Sequence, residues 1–114
     1  MEKKYMIKKS EEFNRARSKG KTFRNKQFTM NRCPNGLQYS RFGFIITKKV
    51  GKATVRNKLR RRLKALVRER LDSIEKGFDF VIVPRPQTSE LSFMELEKNL
   101  DHIFYTTKAE VKRR

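Results

Sequence analysis

The segment from residue 41 to residue 83 most constrains the fold, because its apolar residues change their spacing twice. Arg41 to Thr47 contains a β-branched and aromatic run, which is typical of a well-buried strand. From Val55 onward the apolar residues recur at helical spacings of one, three and four, and Phe78 to Val83 is again strand-like. This order predicts a strand–helix–strand unit whose helix packs one face on a sheet.

Further elements are predicted before this unit. Ser10, which two acidic residues follow, is typical of a helix N-cap, and Gly20 is typical of the residue after a helix end. Residues 11–19 are therefore predicted to form a short helix. The alternation of apolar and polar residues within Phe23 to Arg32 predicts a strand with one buried side. The first half of the chain is therefore expected to contain a helix and part of an antiparallel sheet.

A last helix follows the second strand of the unit. Ser92 and Glu95 have the spacing of a capping box, which marks a helix start. Its predicted buried stripe consists of Phe93, Leu96, Leu100, Ile103 and Phe104. With 114 residues the chain is long enough for one core, so we predict a single α+β domain over residues 1–114.

The positive charge of the chain is concentrated in its first part. Between Phe13 and Arg68 there are 18 Lys or Arg residues and no Asp or Glu. Self-repulsion on this scale destabilises a compact state, which favours a polyanionic partner such as a phosphate backbone. At 100° per residue, one face of the predicted helix carries Asn57, Arg61, Lys64 and Arg68. The alternative is a solvated charged face that merely aids solubility. Solubility alone, however, does not require acidic residues to be absent.

Other classes of function find little support in the sequence. No uncharged apolar run approaches the roughly 18 residues of a membrane span, and the start lacks the apolar centre of a secretion signal. A single cysteine, Cys33, fits a reducing compartment, so we expect a cytoplasmic protein. The lone histidine, His102, has no partner at a recognisable spacing, and no carboxylate cluster suits a pair of magnesium ions. We therefore predict no catalytic residue and no metal site.

One segment leaves a strand through a glycine turn and enters the basic helix, which points Lys, Arg and helix amides at phosphate. The run Lys48-Lys49-Val50-Gly51, followed by Val55-Arg56-Asn57-Lys58-Leu59-Arg60-Arg61, resembles the signature of the protein subunit of bacterial ribonuclease P. Ile7-Lys8-Lys9, Glu12-Phe13, Gly20 and Asn25-Lys26-Gln27-Phe28 match the same family in order and spacing. The resemblance thus covers most of the chain.

The resemblance implies an αβββαβα two-layer sandwich with a left-handed strand–helix–strand crossover, against the usual right-handed preference. It also implies a ribonucleoprotein endonuclease, ribonuclease P, in which a large RNA binds the Mg²⁺ ions. That RNA hydrolyses the phosphodiester that frees the 5′ leader of precursor tRNA. The protein is expected to bind the RNA and the leader and to stabilise the active RNA–substrate complex, with no membrane and no obligatory protein partner.

Site residues follow from the resemblance and the basic stripe together. The residues assigned to contacts with the catalytic RNA are Lys48, Lys49, Lys52, Arg56, Asn57, Lys58, Arg60, Arg61, Lys64 and Arg68. Those assigned to the leader-binding cleft are Phe13, Arg17, Phe28 and Asn31. Arg17 stands where many members carry a second Phe, and Asn31 where they carry a Tyr, so leader binding is expected to rest more on charge than on stacking. Core packing is the alternative for Phe13 and Phe28.

Two other functions compete with this hypothesis. A non-catalytic ribosomal-type or chromatin-like binder would explain the charge equally well, and only the signature segment separates it. A self-sufficient nuclease would need carboxylates or histidines beside the scissile phosphate, and the basic region contains no acid. The basic region is therefore better suited to binding phosphates than to cleaving them.

Overall fold

A computed structural model describes residues 1–112, with side chains for residues 1–108. Its helices and strands, in chain order, are α1 (Ser10–Lys19), β1 (Lys21–Arg24), β2 (Phe28–Pro34), β3 (Arg41–Phe44), α2 (Ala53–Glu69), β4 (Phe78–Pro84) and α3 (Phe93–Lys112). Short 3₁₀ turns occur at Lys3–Tyr5, Lys48–Val50 and Pro86–Glu90. No helix in this described part of the chain is long and apolar enough to cross a membrane.

The four strands form one mixed sheet with the order β1-β2-β4-β3. Strand β2 pairs antiparallel with both β1 and β4, whereas β3 pairs parallel with β4. Because α2 joins these parallel neighbours, the predicted strand–helix–strand unit and the α+β fold are confirmed. The left hand of the crossover stays a prediction.

The sheet separates two apolar cores of different size. Alternation along β4 directs Phe80 and Ile82 into the larger core, with the buried residues of α2 and α3, and Val81 into the smaller core. The smaller core lies beneath α1, where it includes Ile7 and Ala16. The sheet with α2 and α3 thus forms the predicted two-layer sandwich, and α1 packs on the opposite face.

The strand predicted over residues 23–32 is in fact a hairpin of β1 and β2. The side chain of Asn25 accepts hydrogen bonds from the backbone N–H groups of Gln27, at 2.9 Å, and Phe28, at 2.8 Å. An asparagine that bonds to its own downstream backbone favours a turn over a continuous strand. This side-chain bond turns the chain where apolar alternation alone predicts no break.

The helix ends agree with the predicted caps to different degrees. Helix α3 begins as predicted: the Ser92 and Glu95 side chains each accept from the other's backbone N–H, at 3.1 and 3.0 Å. Helix α1 starts one residue early, since Ser10 is helical and the Lys9 N–H donates to the Glu12 carboxylate at 3.2 Å. Phe93 is 42% exposed, so its predicted burial is wrong.

Candidate RNA-binding site

The turn that leads into α2 presents three exposed lysines on a fixed backbone. Val50 is buried and anchors the 3₁₀ turn, while Gly51 has a φ of 152°, a conformation that residues with side chains rarely adopt. Lys48, Lys49 and Lys52 are exposed around these two residues. No described side chain caps the first turn of α2, so its N–H groups are open to an anion.

Helix α2 continues this positive surface along its outer side. Its residues Leu59, Leu63, Leu66 and Val67 are buried, which places the predicted stripe on the opposite side. Together the turn and α2 form what we call the basic surface: Lys48, Lys49, Lys52, Arg56, Asn57, Lys58, Arg60, Arg61, Lys64 and Arg68. Arg56, Arg60 and Lys64 are half-buried, and the other seven residues are exposed.

The cations of the basic surface have few partners among the residues that the structure describes. Arg56 donates through Nε to the Gly51 carbonyl at 3.2 Å, and Arg60 donates to the Asn57 side chain, also at 3.2 Å. Among the described side chains, none of the nine cations has a carboxylate oxygen within 4.0 Å. Their charge is therefore available to phosphate groups from outside.

Three of the residues predicted to line the leader cleft lie on the opposite face of the sheet or on α1 above it. The Phe13 ring is half-buried and lies against the backbone of Gly43, where an added Cβ would come within 2.3 Å of it. Arg17 follows one helical turn later and is exposed. Asn31 shares this face of the sheet, although it is buried and donates to the Thr22 hydroxyl at 2.9 Å. Phe13 and Arg17 thus present a ring and a charge on the same side of α1.

The assignment of Phe28 to the cleft is wrong. Its side chain is fully buried in the larger core, with Met30 and Phe42. Residues 28 and 31 of β2 differ by an odd number, so their side chains point to opposite faces of the sheet. For Phe28, the alternative of core packing is correct.

A buried ion-pair network, the Asp79 network, fixes α1 over the sheet. Arg41 donates to both oxygens of the fully buried Asp79 carboxylate at 2.8 Å, and its third nitrogen donates to Glu12 at 2.7 Å. Arg15 of α1 also donates to Asp79, at 3.3 Å, and the Asn35 amide donates at 3.0 Å. The carboxylates of Asp79 and Glu12 thus both have hydrogen-bond donors. Because Arg15 and Glu12 belong to α1, these bonds hold α1, and with it Phe13, against the sheet.

The two charges at the edge of this network stabilise each other. Burial raises the pKa of Glu12, but the hydrogen bonds from the Lys9 N–H and from Arg41 outweigh burial and bring it below its ordinary value. The bonds from Arg41 to Asp79 and Glu12 raise the pKa of Arg41, against the effect of burial. The Arg41–Glu12 pair is therefore ionised at neutral pH.

Sequence reasoning missed Asp79 and Arg41, because they are 38 residues apart and no local spacing joins them. The available signal was the position of Asp79 in an apolar strand, since a buried carboxylate requires a cationic partner. It also missed Tyr5 and Tyr39, which meet on the surface. Their sequence signal was weak, namely an aromatic residue directly after Lys3 and Lys4.

The α+β fold and the basic surface together define a small nucleic-acid-binding protein, and comparisons with known proteins identify its family. The ribonuclease P family model matches residues 1–108. A ribonuclease P protein component of Bacillus cereus is 39% identical over 105 residues, which cover 91% of each chain.

Solved structures share the same fold. A Staphylococcus aureus RNase P protein mutant with defective mRNA degradation activity has a TM-score of 0.89 and 29% identity, over 95% of this chain and 92% of that one. The RNase P protein of Thermotoga maritima has a TM-score of 0.80 and 32% identity, over 88% of this chain and 96% of that one. The chain belongs to the ribonuclease P protein family. Its functions are therefore RNA binding and tRNA processing, as a component of an endoribonuclease.

Proposed function

We propose that this protein binds the catalytic RNA of ribonuclease P through its basic surface and the 5′ leader of precursor tRNA through the cleft beneath α1. In this role it stabilises the RNA–substrate complex while the RNA performs the hydrolysis. The main supporting observation is that nine cations lie together on one turn and one helix, with no described carboxylate within 4.0 Å. Such cations release counterions from RNA instead of neutralising acids of their own fold.

The proposed leader contact combines one ring with positive charge. Phe13 can stack on an unpaired base with little sequence preference, and Arg17 can contact the neighbouring phosphate. Asn31 is 6% exposed and bonded to Thr22, so we assign it to the wall of the cleft. Leader binding in this protein thus depends on charge more than on a row of aromatic rings.

Magnesium enters the proposal through the RNA. No group of three or more His, Cys, Asp and Glu residues that could hold a metal ion occurs among the described residues. Following the family resemblance, we assign the catalytic Mg²⁺ ions mainly to the RNA subunit and derive no step from them. We also place the protein in the cytoplasm, where a buried free thiol such as Cys33 stays reduced.

Reconstituted cleavage tests this function. Precursor tRNA and Mg²⁺ are incubated with the protein alone, with the large RNA alone and with both, at physiological salt. We expect no 5′-leader release by the protein alone and faster release by the RNA when the protein is present. Cleavage by the protein alone would contradict the proposal.

An absent effect of the protein on the RNA reaction would also contradict the proposal. Mature tRNA, which lacks the leader, provides the matched ligand. Our proposal requires the protein to increase the affinity for precursor tRNA more than the affinity for mature tRNA.

A further inference from the structure

An aromatic pair with its own cation lies on the surface, outside the residues already assigned to RNA. The rings of Tyr5 and Tyr39 meet edge to face, with centroids 5.7 Å apart and planes at 89°. The Lys4 ammonium lies 5.0 Å from the centroid of Tyr5 and 5.4 Å from that of Tyr39. Both rings are only partly buried, so an external group can reach them.

An open groove of about 280 Å³ runs beside this pair, and its charge is strongly positive. We call it the N-terminal groove; Lys3, Lys4, Lys8, Lys9 and Tyr39 line it, and Tyr5 adjoins it through its edge-to-face contact with Tyr39. Its floor contains Arg41 and one carboxylate, Glu12, which is already bonded to Arg41. The four lysine side chains are exposed, so their charge faces solvent in the groove.

The backbone holds both tyrosines in place. The Asn35 amide donates to the Tyr39 carbonyl at 3.1 Å and to Asp79 at 3.0 Å, so the Asp79 network fixes the loop that carries Tyr39. On the other side, the Ile7 N–H donates to the Phe42 carbonyl at 2.9 Å, which docks the segment after Tyr5 on the edge strand β3. Two rings on a fixed backbone lose little conformational entropy when they bind a ligand.

The N-terminal groove lies next to Phe13 along β3. Ile7 and Phe13 both pack around Gly43, and Lys8 and Lys9 follow Ile7 directly. Arg41 in the groove floor lies two residues before Gly43 on β3, and therefore on the same face of the sheet. A single strand that stacks on Phe13 can thus pass over this floor to the tyrosine pair.

We propose that the N-terminal groove is a second single-stranded RNA subsite, which binds leader nucleotides beyond those at Phe13. Bases stack on the Tyr5–Tyr39 pair in place of the Lys4 ammonium, and the lysines contact the phosphates. Rings combined with a positive channel are the general means of binding single strands without sequence preference. This inference rests on the proposed leader contact, since it extends the same strand.

Leader length is the variable that tests the subsite. Precursor tRNAs with leaders of about 4 and about 12 nucleotides are compared, a range that spans one single-strand site. The measured quantity is the dissociation constant from the reconstituted holoenzyme. We expect the wild type to bind the long leader more tightly, because only that leader reaches the tyrosines.

Replacing both rings should remove this increment. In Tyr5→Leu/Tyr39→Leu we expect the long-leader affinity to fall by about tenfold, as the loss of one stacked base implies, with the short-leader affinity unchanged. Tyr105→Leu is the matched control, because this third tyrosine is 57% exposed on α3. It should leave both affinities unchanged.

The lysines are tested through salt dependence. Lys8→Gln/Lys9→Gln should make the salt slope of long-leader binding shallower by about one, with no change for the short leader. Lys98→Gln/Lys108→Gln, two exposed lysines of α3, provides the control with the same change in charge. Urea unfolding of each variant checks that the fold is kept.

The subsite is disproved if the tyrosine variant binds the long leader as tightly as the wild type does. Equal losses at both lengths would also overturn it, since they would show that the rings only support the fold. A loss of affinity for the free catalytic RNA would move the groove to the RNA interface and contradict the leader assignment. If instead the wild-type protein does not increase the affinity for precursor tRNA more than that for mature tRNA, the proposed function itself fails. This comparison uses only the wild-type protein, so the failure of the function and the failure of the subsite are distinguishable.

Discussion

Arg68 and Arg70 lie two residues apart near the end of α2, but their side chains have opposite roles. Arg68 is exposed and has no carboxylate within 4.0 Å among the described side chains. Arg70 is 17% exposed, bonds to Glu97 at 2.6 Å and to the Asp101 carboxylate, and donates to the Leu66 carbonyl at 2.9 Å. One arginine is open to RNA, and the other joins α2 to α3.

The same division holds across the molecule. Several arginines of the first 71 residues pair with carboxylates that come later in the chain: Arg15 and Arg41 with Asp79, Arg32 with Glu75, and Arg70 with Glu97 and Asp101. The basic surface takes no part in these pairs. The formal charge of +18 therefore combines cations that hold the two halves together with cations that remain for RNA.

Asp79→Ala should give the largest effect, because it removes the buried partner of Arg41 and Arg15. Arg41 then keeps only Glu12 as a partner. Since breaking a buried ion pair by removing one member destabilises a protein by about 3–5 kcal/mol, we expect the free energy of unfolding to fall by that amount. Urea denaturation measures it, with Asp72→Ala, the same change at an exposed aspartate with no ion-pair partner among the described residues, as the control. A loss no larger than that of the control would show that paired and unpaired arginines do not differ in this protein.

Arg61→Gln/Lys64→Gln/Arg68→Gln should affect RNA binding and leave stability nearly unchanged. We expect the salt slope of binding to the catalytic RNA to become shallower by up to about three. With a slope change of about three, the variant would lose about 60-fold less affinity than the wild type between 50 and 200 mM salt. Filter binding at several salt concentrations measures the slope, and an unchanged slope would mean that these residues do not contact phosphate.

Arg70→Gln should give the smallest effect, and it should lower stability without changing RNA binding. Since its partners are half exposed, we expect a loss of about 1–2 kcal/mol in the free energy of unfolding, with no change in the salt slope. Arg68→Gln is the matched control two residues away, and its stability should stay within about 0.5 kcal/mol of the wild type. Equal destabilisation by the two variants would remove the distinction between the arginines.

Local patterns predicted the parts of the fold that local interactions determine. The capping box at Ser92 and Glu95 needs only four residues, and both of its hydrogen bonds form. The spacing of Leu59, Leu63 and Leu66 places the buried side of α2 correctly, because helical geometry alone decides it. The parallel strands on either side of α2 follow from the same change in apolar spacing.

Long-range contacts determined what the sequence could not predict. The burial of Phe28 and the exposure of Phe93 depend on which face of a strand or helix has a neighbour. The tyrosine pair joins residues 34 positions apart, and the Asp79 network joins α1, β3 and β4. Composition and local spacing do not predict contacts between residues so far apart in sequence. The N-terminal groove is therefore evident only from the folded structure.

Gly43 has a consequence for how this fold can vary. Its missing side chain lets the Phe13 ring lie directly on the backbone of β3, where even one methyl group would come within 2.3 Å of it. Any residue with a side chain at position 43 would push the Phe13 ring away from β3, and an uncharged residue would do so with no change in net charge. One glycine of the edge strand therefore sets how closely the Phe13 ring approaches the sheet, independently of the cations of the basic surface.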